Sequence, residues 1–332
     1  MQKKIPVLLL LFFFLLPHAL SASPEFSLTT LYSLKNACST EDLYFSGTFG
    51  SDSSKKCSEL LWNEKLVSSF GAEAEGSFSK DSDSFVFTLG SLFSLPFNSG
   101  SMTDTDWNSV LQKSTYSEFD NNIRLCFDVW TGFEYKHDCN FFTLGGTAHA
   151  AFSYLSFNAE NGRGWYNLDS DNPHYYPDGK YHLADIEYSS SKAALFLGLE
   201  LEKTFFERMT LSLEVQAAPY TFVFVTDRHT ARNYTFNDYI HGVFANYNFY
   251  LANSFKISPR FSILLKLNAQ YFKDTKADEY YDWDEDSHDS LSAQKAGYSY
   301  YSYGISAGIK INLKSVTGRK GAERRLPAND GA

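Results

Sequence analysis

From Tyr301 to Leu313 the chain alternates without a break. Tyr301, Tyr303, Ile305, Ala307, Ile309, Ile311 and Leu313 hold one phase, and Ser302, Gly304, Ser306, Gly308, Lys310 and Asn312 hold the other. Residues two apart share one face of an extended strand, so this stretch predicts a strand with a wholly apolar face. Glycine and lysine on the opposite face suit a strand with lipid outside and a polar lumen inside. The edge of a soluble sandwich is the competing reading.

The same period recurs along the chain as up-and-down hairpins. Phe26 to Tyr32 begins an alternating strand, extended by Glu41 to Ser46 before a turn at Gly50 to Ser54. Lys56 to Phe78 returns as the second strand. After a turn at Ser79 to Ser82, Phe85, Phe87, Leu89, Phe93 and Leu95 mark a third strand, which leads into a loop holding Asp104 and Asp106. Asn122 to Phe133 and Phe141 to Phe157 form the next pair, joined through Glu134 to Cys139. A long polar loop, Asn158 to His182, carries clustered turn formers. Ile186 to Leu201 is the sixth strand and Met209 to Gln216 starts the seventh.

At Ala217-Ala218-Pro219 the phase of the seventh strand changes, because the apolar positions become Tyr220, Phe222 and Phe224. A bulge there turns the later odd-numbered residues inward. Tyr239 to Phe255 and Phe261 to Tyr271 follow, then an acidic loop, Lys273 to Ala293, and the closing strand. The expected fold is all-β: a ten-stranded antiparallel transmembrane β-barrel with long extracellular loops, an even count as bacterial single-chain barrels have. No second domain and no repeat beyond the hairpins is visible.

Composition sharpens this picture. Aromatic residues make up 17% of the chain, with 22 Tyr and 30 Phe, an excess that a membrane barrel explains. Residues 1–23 carry Lys3 and Lys4, an apolar run from Ile5 to Pro17 and small residues around Ala19 to Ser23, the pattern of a secretory signal peptide. Removing those two lysines takes the formal charge from -10 to -12, which argues against a nucleic-acid partner. Residues 24–313 form the expected barrel, and 314–332 are expected to be a disordered basic tail. The four cysteines fit an oxidising compartment without settling connectivity. Cys38 and Cys57 flank the first outer hairpin and are placed to pair, whereas Cys126 and Cys139 bracket a turn unevenly.

Two short stretches carry candidate chemistry. In extended chain Asp104 and Asp106 point to one side, as do Asp227 and His229. A carboxylate beside an imidazole raises its basicity, and a second carboxylate pair opposite helps orient and deprotonate a trapped water for attack on a carbonyl. Taken alone, Asp-x-Asp in a Gly/Ser-rich loop is more often a solvated turn or a weak Ca²⁺ ligand set.

With these residues in view the sequence resembles the omptins, a family of ten-stranded outer-membrane endopeptidases. The family's Asn-Met-x-Asp-x-Asp-Trp is matched by Ser101-Met102-Thr103-Asp104-Thr105-Asp106-Trp107, with Ser101 in place of Asn, and its Asp-x-His by Asp227-Arg228-His229. Ser58, Leu60 and Trp62 match a Ser-x-Leu-x-Trp, and Glu41 and Tyr44 match an acidic-x-x-Tyr. Ser306, Gly308, Ile311 and Leu313 also resemble the last-strand signal of outer-membrane barrels.

The resemblance implies that Asp227 orients His229, that His229 and Asp104 activate a water, and that Asp106 supports Asp104. Ser117 falls near a family serine and is read as substrate-side at most. No metal and no cofactor is implied, although lipopolysaccharide is implied as an activator. The family's preference for basic residues implies a pocket of two carboxylates. Glu41 matches one of them, and Met102 of the matched motif is a further substrate-binding candidate. The other position is occupied by Val225, so the expectation is a relaxed preference at the residue preceding the cleaved bond. The implied setting is the bacterial outer membrane with the site facing the exterior, and the implied partners are peptide or protein substrates. A catalytically inactive barrel acting as an adhesin or surface structural protein is the alternative.

Overall fold

The computed structural model describes residues 24–45, 55–177, 186–230, 234–283 and 287–313. The expected signal peptide, the turn at Gly50 to Ser54 and the basic tail 314–332 lie outside the described residues. Every element is a strand: β1 (Pro24–Tyr44), β2 (Lys56–Lys80), β3 (Asp83–Ser94), β4 (Phe97–Trp107), β5 (Lys113–Asp138), β6 (Thr143–Tyr166), β7 (His174–Tyr176), β8 (Ile186–Phe205), β9 (Met209–His229), β10 (Tyr234–Gly242), β11 (Asn246–Lys256), β12 (Phe261–Trp283) and β13 (Ser287–Leu313).

β1 pairs antiparallel with both β2 and β13, which closes the sheet on itself and removes its edges. β3 and β4 both pair with β2 and β5, so they are one wall strand interrupted at Leu95-Pro96, where proline cannot donate to the ladder. β10 and β11 likewise both pair with β9 and β12, interrupted at Val243–Ala245, where Phe244 has a φ of 48°. β7 is a short flap on β6 alone. Merging the two interrupted strands and setting β7 aside leaves ten members in the wall, as the sequence pattern predicts.

Several expected loops are strand. Asp104 and Asp106 lie within β4, the Asn158 to His182 loop begins only after β6 ends at Tyr166, and β12 and β13 run through much of the acidic stretch 273–293. The 134–139 connection also tightens, since β5 continues to Asp138. The reason is one of length. β13 has 27 residues, β5 has 26 and β2 has 25, whereas crossing the hydrocarbon layer takes only about 9 to 11. Polar stretches that look like loops in sequence are the part of the wall that stands clear of lipid, where water solvates the outer face and alternation no longer marks the strand.

The two zones are visible on the outside of the barrel. Leu195, Leu197, Leu199 and Leu201 of β8, Ile263, Leu265 and Leu267 of β12, and Ile305 and Ile309 of β13 form an exposed apolar belt. Higher up the outer face turns ionic: Glu187 meets Arg124 and Arg228, each at 3.6 Å. Inside the belt the lumen is polar, with Lys310 bonded to Glu75 at 2.9 Å and Ser306 to Ser33 at 3.0 Å.

Candidate active site

β9 carries the first pair of interest, and its geometry depends on a bulge. Leu197 pairs with Ala217 but Leu195 pairs with Tyr220, so β9 holds one extra residue around Ala218-Pro219. Below it Gln216 and Ala218 are buried in the lumen; above it Thr221, Val223, Val225, Asp227 and His229 are. The phase change read from sequence is thus present, and it directs both functional side chains inward. Asp227 is 1% exposed and His229 7%. Nε2 of His229 lies 3.0 Å from Oδ2 of Asp227. A ring N–H there donates to the carboxylate and leaves Nδ1 as the atom able to accept a proton.

A second bulge sets the opposite pair. Between Asn98 and Ser101 β4 gains a residue against β5, and Gly100 takes a φ of 106°. A Cβ there would lie 2.0 Å from the carbonyl oxygen of Asn63, so only glycine fits on both counts. After this bulge the even-numbered residues of β4 face the lumen. Trp62, Leu60 and Ser58 of β2 register with Met102, Asp104 and Asp106 in turn, and on β5 Asp104 registers with Ser117. Directly opposed residues share a face, and Trp62, Leu60, Met102 and Ser117 are all buried. The Ser-x-Leu-x-Trp spacing is therefore the neighbouring row of the Met-x-Asp-x-Asp spacing.

An aromatic contact joins these two walls. The ring of Trp62 lies 4.4 Å from Tyr188 and 5.5 Å from Phe157. Trp62 is the register partner of Met102, and Tyr188 that of Asp227. Asp104 and His229 each stand one same-face step further towards the mouth, above a floor made of these rings. Met102 is fully buried in that floor. Such a floor excludes water from below and strengthens electrostatics above it.

Acidic groups converge on the same level. Glu41, 2% exposed, registers with Leu60 on one side and Tyr298 on the other. Val225 faces the lumen as an apolar wall, and its register partner on β10 is Asp238, which is 1% exposed. Asp238 is in hydrogen-bond contact with Glu41, and its pKa is pushed up to about 7 by burial, with the charge of Asp227 adding to the rise and the Glu41 contact opposing it. Tyr188 is held well above the ordinary phenol range by burial first, then by Tyr298, Glu41, Asp238 and Asp227. It therefore stands as a neutral hydroxyl among carboxyls.

The structure thus sets Asp227, His229 and Val225 on β9, Asp104, Asp106 and Met102 on β4, and Glu41 on β1, next to the β2 row that pairs with β4. Sequence reading missed Asp238 by starting its strand at Tyr239. In the structure β10 begins at Tyr234 opposite His229, and four residues further on Asp238 stands opposite Val225. The expected Cys38–Cys57 disulfide is absent. Cys38 registers with Asn63, six residues along β2 from Cys57, far beyond the roughly 4.4 to 6.8 Å Cα separation of a disulfide. Among the described residues no group of three or more His, Cys, Asp or Glu side chains is arranged to hold a metal ion.

Comparison with known proteins agrees with this architecture. A family model described as the omptin family matches residues 24–313. The crystal structure of the outer membrane protease OmpT from Escherichia coli superposes with a TM-score of 0.72 at 15% identity, covering 87% of this chain and 97% of that one. The translocator domain of the autotransporter NalP from Neisseria meningitidis superposes with a TM-score of 0.36 at 10% identity, covering 87% and 88%. No curated protein matches the sequence.

Proposed function

We propose, from the premise that this chain belongs to the omptin family of outer-membrane proteases, that it is an endopeptidase working at the exterior mouth of its barrel. Asp227 holds and charge-stabilises His229. His229 and Asp104 activate a water between the two walls, with Asp106 supporting Asp104. The water attacks the scissile carbonyl, and the imidazolium formed returns its proton to the leaving amine. General acid–base catalysis of this kind contributes about 10² to 10⁴-fold.

The observation that carries this reading is the buried Asp227–His229 contact at 3.0 Å, set by one bulge, above the same ring floor to which a second bulge brings Asp104. Two independent backbone irregularities aimed at one level are a costly arrangement for a wall that only has to close. Glu41, inside the mouth, supplies a carboxylate for a basic residue of the substrate. No metal, cofactor or covalent nucleophile takes part, and Ser117 lies beside Asp104 as a substrate-side residue. Lipopolysaccharide is the expected activator in the surrounding outer leaflet.

The test is cleavage of a peptide library by refolded protein with and without lipopolysaccharide. Cleavage at defined basic sites, insensitive to EDTA and to serine-directed reagents, is the expected result. A folded barrel that cleaves nothing in either condition would overturn the reading in favour of an inactive adhesin.

A further inference from the structure

The circumference of a closed barrel is fixed by its strand number and stagger, but its cross-section is not. Hydrogen bonds between neighbouring strands leave the ring free to be round or flattened, and side chains that meet across the lumen decide which. Just below the site three rings meet in this way. Trp62 of β2 lies 4.4 Å from Tyr188 of β8 and 5.5 Å from Phe157 of β6, and Phe157 lies 5.9 Å from Tyr188, with interplanar angles of only 13° and 19° at the two Phe157 contacts. None of the three is more than 1% exposed. β2 and β8 are not neighbours in the sheet, since β4, β5 and β6 stand between them on one side and β1, β13, β12, β10 and β9 on the other. The Trp62–Tyr188 contact therefore crosses the lumen.

The two rings belong to the strands that flank the site. Trp62 registers with Met102 of β4, and Tyr188 with Asp227 of β9. One same-face step towards the mouth, Leu60 registers with Asp104 and Ile186 with His229. The gap between Asp104 and His229 is thus a gap between two walls that touch, one step down, ring on ring. Such a contact resists in both senses. Aromatic rings attract one another as offset or tilted pairs, so the walls do not drift apart, and close-packed rings have no room to give, so the walls do not fall together.

We propose that Trp62 and Tyr188 are positioning residues, a spacer that sets the width of the mouth so that a water fits between Asp104 and His229. This rests on the protease reading and deepens it: neither side chain touches the reacting atoms, and each acts through the wall on which it stands. What serves is the ring itself, not the phenol hydroxyl of Tyr188.

The test compares wild type with Tyr188→Phe, Tyr188→Leu and Trp62→Leu, all full chains refolded with lipopolysaccharide and checked for strand content by circular dichroism. Turnover on peptides carrying Arg or Leu before the cleaved bond gives kcat, KM and the Arg-to-Leu preference. The width of the mouth is read separately, from the dipolar coupling of nitroxide labels at Thr103→Cys of β4 and Thr226→Cys of β9, with the four native cysteines replaced by alanine. Both label positions alternate with the lumen-facing residues of their strands and so stand on the outer face of the wall. Tyr188→Phe keeps the ring and is expected to stay close to wild type in kcat and in label distance. Tyr188→Leu and Trp62→Leu are expected to shorten and broaden the label distance and to lower kcat on the order of 10²-fold, the scale of a misplacement of about 1 Å. The loss should be the same for both peptides, with KM and the Arg-to-Leu preference little changed. An unchanged label distance in both leucine variants would overturn the proposal, as would a shifted distance with unaltered kcat. A loss in Tyr188→Phe as deep as in Tyr188→Leu would also overturn it, by putting the effect in the hydroxyl. Absence of all cleavage in wild type, with the label distance still responding to Tyr188→Leu, would overturn the protease reading and leave the spacer.

Discussion

Two of the buried charge clusters in the lumen are built on opposite principles. At the end remote from the site, Lys136 Nζ lies 2.8 Å from Glu200, 3.2 Å from Glu202 and 3.3 Å from Glu134, and His149 lies 3.5 Å from Glu214. A lysine holds the acids together there, and the cluster ties β5, β6, β8 and β9 together. At the mouth, Asp238 meets Glu41, acid on acid. The difference separates a lysine-centred cluster that ties strands together from an acid pair that holds a proton.

The largest expected effect breaks the mouth without touching the fold. Asp104→Asn and His229→Ala should each lower peptide turnover by about 10²-fold or more, with the strand signal of the barrel retained. Wild-type turnover in either variant would remove them from the chemistry.

The converse experiment breaks the lysine-centred cluster. Lys136→Met leaves three carboxylates around an apolar side chain and should cost roughly 3 kcal/mol of stability, the scale for removing one partner of a buried ion network. It is read as a lower denaturant midpoint, and the Arg-to-Leu preference should stay as in wild type. A shift in preference instead would mean that the two clusters communicate along the wall.

The smallest effect is one of pH, and it sharpens the contrast. Facing Asp238 are Glu41 of β1, Tyr188 of β8 and Asp227 of β9, with Glu279 as its register neighbour on β12. Its folded pKa is raised to about 7 from an unfolded value of about 3.9. A raised carboxyl pKa means the fold favours the protonated form, so stability is greatest below the unfolded pKa and declines as pH rises towards about 7, above which the loss is complete. Asp238→Asn should flatten this profile. A wild-type stability profile already flat between about pH 4 and 7 would place the proton elsewhere.

Much of this protein is legible without coordinates because a membrane barrel obeys one strong local rule. Where lipid covers the outside, every second residue must be apolar, as from Tyr301 to Leu313, and strand number and phase follow. The phase slip at Ala217 to Pro219 is readable for the same reason, since the apolar positions themselves change parity. Asp104, Asp106, Asp227 and His229 are legible as same-side pairs because a period of two is a property of the backbone. Legibility fails above the lipid, where water replaces hydrocarbon and no alternation is enforced. There Asp104 and Asp106 read as loop, β12 and β13 look shorter than they are, and Asp238 falls outside its strand.

What the sequence by itself determined is therefore the closed ten-stranded wall, its polar lumen and the side-by-side residue types of each half of the site. Only the tertiary structure decided which residues of different strands meet. Register places Val225 against Asp238 and Leu60 against Asp104, and the Trp62–Tyr188 contact brings the two walls to one level. Registers are set by hairpin lengths and bulges such as Gly100, where a single added residue changes every later pairing. That information is spread over whole strands, and no local motif carries it.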